Sequence, residues 1–204
     1  MPTYLDDAPL AVDAVTLDAA LDAARRDAGA QGRLIVEVSL DGESLMGDRL
    51  DAAMGTAIGE AELRLYSADA AQVAGEALHE VRASIDRIEA MHQEAADELQ
   101  RGDQAAGLAT VGRVIELWLG VQRGIGQAAQ VAGIELDGLT FGQTSAKALF
   151  AGLLERLQEL KGMIESGDTI ALADALAYEW SEITEPWGAL VDTLIAMVEA
   201  EPAA

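Results

Sequence analysis

SADAAQVAGEALHEVRASIDRIEAMHQEAADELQRGD, residues 67–103, decides how the chain is read. Its positions Ala71, Ala74, Leu78, Val81, Ile85, Ile88, His92, Ala95 and Leu99 alternate by three and four, which is the signature of one helix face. Ser67 or Asp69 can cap the start. Arg101-Gly102-Asp103 ends the run, glycine suiting the left-handed position after a helix and aspartate suiting the cap of the next one. At about 1.5 Å per residue a helix over 69–101 is about 50 Å long. An isolated rod of this kind leaves its seam in water, so the fold depends on helices that follow.

Three further seams are legible. The second helix carries Leu108, Val111, Ile115, Trp118, Gln122, Ile125 and Ala129, with Val114, Leu117 and Val121 widening the apolar surface. The third carries Ala146, Phe150, Leu153, Leu157, Leu160 and Ile164, and ends at Ser166-Gly167-Asp168 as the first ends at Arg101-Gly102-Asp103. The fourth runs through Ala173, Leu176, Trp180, Ile183, Trp187, Leu190, Leu194 and Met197. Pro186 lies inside it and predicts a kink or a break there, because proline lacks the backbone donor and crowds the carbonyl of Glu182. Two αα-hairpins that both turn on Gly-Asp give a mainly α expectation: an antiparallel four-helix bundle over 69–204. The repeated turn suggests internal duplication, although shared capping chemistry produces the same turn.

Residues 1–68 read as a small α+β module. Thr16 is placed to cap an Ala-rich helix over about 17–28. RLIVEVSL at 33–40 alternates Leu34, Val36, Val38 and Leu40 against Ile35, Glu37 and Ser39, a strand pattern with one apolar face, and Asp41-Gly42 then signals a tight turn. AELRLY at 61–66 is a second strand with Ala61, Leu63 and Leu65 on one side, and PLAVDAV at 9–15 is a candidate third. The strand runs almost directly into the first long helix, which suggests a fixed junction.

Composition bounds function. The chain has 204 residues, no cysteine and a net charge of −23, from 36 acidic against 13 basic residues. Without cysteine there are no disulfides, thiolate metal sites or cysteine nucleophiles. Such acidity opposes binding to a phosphate backbone; it reads first as a solvated, solubilising surface, with a protein partner that has a basic face, or nucleic-acid mimicry, as the alternatives. No apolar run is long enough to cross a bilayer, and MPTYLDDAPLAVDAV lacks the basic start and apolar core of a secretory signal, so the expectation is a cytoplasmic protein away from membranes.

Both histidines belong to Glu-x-x-His, as Glu76/His79 and Glu89/His92. Dinuclear metal bundles use this spacing because residues three apart share a helix face, but they place the copies on different helices. Here both lie on one helix, 13 residues apart, which turns them about 140° around the axis and separates them by about 20 Å. They cannot share a dinuclear centre. A mononuclear site at Glu89 and His92, with Glu116 as third ligand, is the surviving metal alternative. Folding the hairpin about Gly102 sets Gly112 and Arg113 opposite His92, and an arginine is a poor neighbour for a cation. The simpler reading is an interior histidine bonded to Glu89, Glu116 or a backbone group.

Other motifs are weaker. Ser44 in GESLMG lacks the final glycine of a nucleophile elbow, since Met46 stands there. Gly120, Gly124 and Gly126 lack the strand that precedes a dinucleotide loop, so close helix packing explains them better. Glu179, Glu182 and Glu185 read as the wet face of an acidic helix. With no catalytic constellation and no cofactor implied, the expected function is a non-enzymatic acidic helical protein, an adaptor or chaperone-like module, that binds a protein partner or self-associates. Leu117 and Val121 are its candidate contact residues, because they extend the apolar surface of the second helix beyond one stripe.

Overall fold

The computed structural model describes residues 2–12, 16–57, 59–141 and 144–200. The chain is mainly α, with seven α-helices among the described residues and a small mixed sheet near its start. It divides into two compact units, one over residues 1–73 and one over residues 74–201.

In the first unit, strands β1 (Thr3–Leu5), β2 (Ala8–Pro9), β3 (Arg33–Leu40), β4 (Glu43–Ser44) and β5 (Leu63–Asp69) form one sheet in the order β2-β1-β5-β3-β4. Helix α1 (Leu17–Gly29) buries Leu17, Ala20, Leu21, Ala24 and Ala28 in a core shared with Leu5, Val38, Leu63 and Leu65. A short helix, α2 (Asp48–Ala53), adds Leu50 and Ala53 to its edge. The expected turn is present: Asp41 and Gly42 both have positive φ, and Leu40 pairs with Glu43 across them, as a two-residue hairpin requires.

Three expectations need correction here. The first strand pairs through Thr3–Leu5, parallel to β5, rather than through 9–15, of which residues 13–15 lie outside the described residues. Thr16 precedes α1, but its side chain makes no capping hydrogen bond. The single apolar face of β3 is interrupted, because the register against β5 shifts between Ile35 and Glu37. The extra residue is Val36, left 53% exposed, so Ile35 faces the core before the bulge while Val38 and Leu40 face it afterwards. A strict period of two cannot show a bulge.

In the second unit, α3 (Ala70–Gln100) buries Ala74, Leu78, Val81, Ile85, Ile88, His92, Ala95 and Leu99, the seam read from sequence less its first alanine. Asp69 caps it, accepting from the Gln72 backbone N–H at 2.9 Å. Helix α4 (Gln104–Val131) follows the Gly102 turn and runs back along α3, while a one-turn 3₁₀ segment (Leu136–Gly138) and the paired strands β6 (Thr140–Phe141) and β7 (Thr144–Ser145) lead into α5 (Ala146–Ser166). The two Gly-Asp turns match bond for bond. Gly102 and Gly167 have φ of +83° and +71°. Gly102 N–H donates to the Leu99 carbonyl and Gly167 N–H to that of Ile164, three residues back in each case. Asp103 and Asp168 then accept from the backbone N–H groups of Ala106 and Ala171.

The fourth rod breaks, though not at the proline. Helix α6 (Thr169–Asp174) passes into a π-turn (Ala175–Glu179), in which Trp180 N–H donates to the carbonyl of Ala175 five residues back. Helix α7 (Ser181–Ala200) then continues through Pro186. Beyond Trp180 the expected seam residues Trp187, Leu190 and Leu194 are buried, and Thr184, Val191 and Val198 join them in the core, whereas Ile183 is only partly buried and Met197 is exposed. On α4 the buried line similarly runs through Val111, Val114, Trp118, Val121 and Ile125, leaving Leu108 exposed. Leu108 is thus a surface residue, and Val114 and Val121, read as a widening, join Val111, Trp118, Ile125 and Ala129 of the expected seam in the core, while Leu117 stays half-buried.

Two glycines of α4 mark close approach to α3. A Cβ at Gly107 would lie 2.6 Å from Leu99 Cγ, and one at Gly124 would lie 2.5 Å from Val81 Cγ2. Gly120 and Gly126 meet nothing within 4 Å, so close packing explains only one of the three glycines assigned to it from sequence. Opposite outcomes follow for the same substitution. Gly124→Ala should lose about 1–3 kcal/mol to overpacking, whereas Gly120→Ala should gain up to about 1 kcal/mol from helix propensity. Chemical denaturation of the two variants tests the contrast.

Candidate functional site

His92 is the centre of the most unusual chemistry in the molecule. It lies on α3 and is 2% exposed, on a face that otherwise carries aliphatic residues. Trp118 from α4 donates its indole N–H to His92 Nε2 at 3.3 Å. Trp180, just beyond the π-turn, packs edge-on at a centroid distance of 5.3 Å. Trp187 on α7 continues the cluster, 5.4 Å from Trp118 and 5.0 Å from Phe150 of α5. Burial pushes the imidazole pKa down to about 4, so at neutral pH the ring is uncharged.

The sequence brought the right residue inside and gave it the wrong partner. Glu89 and Glu116 are both exposed and neither bonds to His92. The backbone register of the α3–α4 hairpin, marked by Leu99 beside Gly107 and Val81 beside Gly124, is close to the one expected. Trp118 nevertheless sits about one turn further along than Gly112 and Arg113. Helical side chains lean toward their own N-terminus, and in antiparallel helices that brings a long indole and an imidazole toward one another from offset levels. The signal was present as Trp118 on one seam and His92 on the next.

The hydrogen bond fixes the tautomer. Because Nε2 accepts, the ring proton resides on Nδ1, and Nδ1 is buried with no partner. A metal on Nδ1 would require the proton to move to Nε2, where it would face the Trp118 N–H. Geometry therefore works against the alternative of Glu89, His92 and Glu116 as ligands, and no group of three or more metal-ligating side chains occurs among the described residues. The first Glu-x-x-His copy is a surface feature: His79 Nε2 lies 3.3 Å from Glu199 on α7, with both side chains well exposed.

Leu117 and Val121 separate in the structure. Val121 is 1% exposed and belongs to the core, so it presents nothing to a partner; Leu117 is half-buried. Leu108 and Leu119 on α4 and Met197 on α7 are 40–45% exposed, and the apolar side chains that reach furthest into solvent in this unit lie elsewhere. Leu154 on α5 is 56% exposed, Ile170 on α6 is 75% exposed and Tyr178 in the π-turn is 70% exposed. Only Ala146, Leu153 and Leu160 of α5 are fully buried, leaving its Phe150 and Leu157 half-buried and its Ile164 exposed. Acidic residues surround this face; Arg156 is held by Glu159 and Glu179, and Lys161 by Glu165. No helix among the described residues is long and apolar enough to cross a membrane. No family model, curated protein or solved structure matches this chain, so any activity has to be argued from its own residues.

Proposed function

We propose that residues 69–204 act as an antiparallel four-helix bundle, non-enzymatic, that binds a protein partner through the outer face of α5 and the turn into α6. The observation that carries this reading is the incomplete burial of α5, whose apolar side chains extend beyond what its own unit covers. Large exposed apolar side chains grouped on one hairpin favour an interaction surface. Charge selects the occupant. A second copy would bring another −23 against this one, whereas a partner with a basic rim would be drawn to the acidic surround of the face.

Leu154→Glu combined with Ile170→Glu should leave stability nearly unchanged, since both positions are exposed, and should weaken partner capture at least tenfold. Capture by the wild type should fall with added salt. Native mass spectrometry separates this from self-association. A dimer that the paired substitution dissociates would replace the foreign partner by a second copy.

A further inference from the structure

The two Gly-Asp hairpins of the second unit stand in register with one another, so the first serves as a control for the second. An offset of 65 residues carries Gly102 and Asp103 onto Gly167 and Asp168, with the turn hydrogen bonds repeated. The same offset carries Val81, Ile88 and Ala95 of α3 onto Ala146, Leu153 and Leu160 of α5, and all six are buried. It then carries Ile85, His92 and Leu99, all buried, onto Phe150 and Leu157, half-buried, and Ile164, 37% exposed. Another helix supplies cover on α3: Trp118 of α4 bonds His92, and Leu99 lies against Gly107 of α4. On α5 the same line is apolar and its cover is incomplete. The outer flank diverges in the same direction. Glu89 and Arg113, both exposed, correspond in sequence to Leu154 and Tyr178, also exposed. The first hairpin folds with charges at these positions, so the hairpin itself does not require large apolar side chains there.

The spacing of the open line says what would cover it. Phe150, Leu154, Leu157 and Ile164 follow an alternation of four and three in which Lys161, loosely paired with Glu165 at 3.7 Å, holds the remaining place. At 100° per residue these positions fall within an arc of about 80° and span about 21 Å of helix. A stripe of that period meshes with the side chains of another helix, whereas a strand, with its period of two, falls out of step with it within a few residues. Charge sets the flanks, because a net of −23 favours a helix edged by arginine or lysine. We infer that the partner is an amphipathic α-helix with basic flanks, about four turns long, laid along the α5 stripe where α4 covers the equivalent line of α3. This inference rests on the partner-binding reading of α5 and narrows it to one chemistry.

Two synthetic peptides of identical composition and charge test it on the full chain. Both contain leucine, arginine and glutamine; one spaces its leucines alternately by three and four, the other by two. Fluorescence anisotropy of the labelled peptide measures affinity, circular dichroism its gain of helix, and backbone amide resonances of α5 the place of contact. The expected result is that the three-four peptide becomes helical on binding, shifts the α5 amides and binds at least tenfold tighter than its isomer. Leu154→Glu should erase that preference and Leu154→Met should keep it. Lys161→Leu, which completes the stripe, should enlarge it, a gain that a merely misfolded variant could not produce. Absence of saturable binding, equal affinity of the two peptides, a preference that survives Leu154→Glu, or a dimer of the chain that Leu154→Glu dissociates would each overturn the inference. If the preference is absent while Leu154→Glu with Ile170→Glu still weakens capture of the natural partner, the partner surface stands and only its helical occupant is wrong. If capture is unaffected as well, the surface itself is wrong.

Discussion

Trp118→Ala should lower the free energy of unfolding by about 3–5 kcal/mol, the range for truncating a fully buried aromatic side chain. The indole is 0% exposed and does three things at once. It fills the space between His92 and Trp187, it contacts Trp180 at a centroid distance of 6.3 Å, and its N–H is donated to His92 Nε2. Removing it leaves a cavity and an unpaired acceptor together. Conservative variants separate these effects. Trp118→Phe keeps much of the volume but strips the donor from His92 Nε2. Trp187→Phe removes an indole N–H that is buried without a partner, so it discards an existing penalty. Trp118→Phe should therefore be the more damaging of the two, by about 1–2 kcal/mol, in urea unfolding followed by circular dichroism. Equal costs would show that the indole–imidazole bond contributes nothing.

The second large effect depends on pH. The folded pKa of His92 is depressed to about 4 because burial penalises the charged ring, whereas an unfolded histidine titrates near 6.5. Above pH 6.5 the ring is neutral in both states and its environment costs nothing in protonation. As pH falls from 6.5 toward 4, the unfolded chain takes up a proton that the folded chain refuses, and stability is lost by up to about 3 kcal/mol over that window. The groups around the ring give no relief inside the core: Trp118 and Trp180 are uncharged, Leu176 and Ala177 are apolar, and the nearby side chains of Asp86 and Glu89 are exposed and make no bond to it. Acidification also relieves the mutual repulsion of many surface carboxylates, which acts in the opposite direction. A comparison with His92→Leu cancels that common contribution. At pH 7 the variant exchanges one unpaired group, Nδ1–H, for another, the Trp118 N–H, so the difference from wild type should be within about 1 kcal/mol. By pH 4 the variant should be the more stable by about 3 kcal/mol. A difference that stays flat with pH would mean that the ring is protonated in place.

How much of this was legible depended on whether each element obeys a single period. Helix α3 does, and its buried face was readable nearly residue for residue from Ala74 to Leu99. So were β3 at Arg33–Leu40 and the Asp41-Gly42 turn, where the turn chemistry is local. Reading failed where one extra residue enters the pattern. The bulge at Val36 shifts the inward face of β3 by one position, and beyond the π-turn at Ala175–Glu179 Thr184 and Val198 are buried where Ile183 and Met197 were expected, while Trp187, Leu190 and Leu194 bury as read; nothing in the flanking residues announces either irregularity. Pro186 drew attention to the right helix, but the break lies in the π-turn before it and α7 continues through the proline. For the site, burial of His92 followed from the seam. Its partner did not, because a hairpin register counts backbone positions while a long indole reaches about a turn away from its own.

All three tryptophans, at 118, 180 and 187, belong to the second unit, and the first unit contains only tyrosines, Tyr4 and Tyr66, among the fluorescent residues. Emission excited at the red edge is therefore blind to the sheet and sees the helices alone. Hydrogen exchange at Leu63 and Leu65, whose backbones lie in the middle of the sheet, sees the other half. The chain thus comes with two non-overlapping reporters built in, and whether their unfolding curves superimpose will say whether it behaves thermodynamically as one body or two.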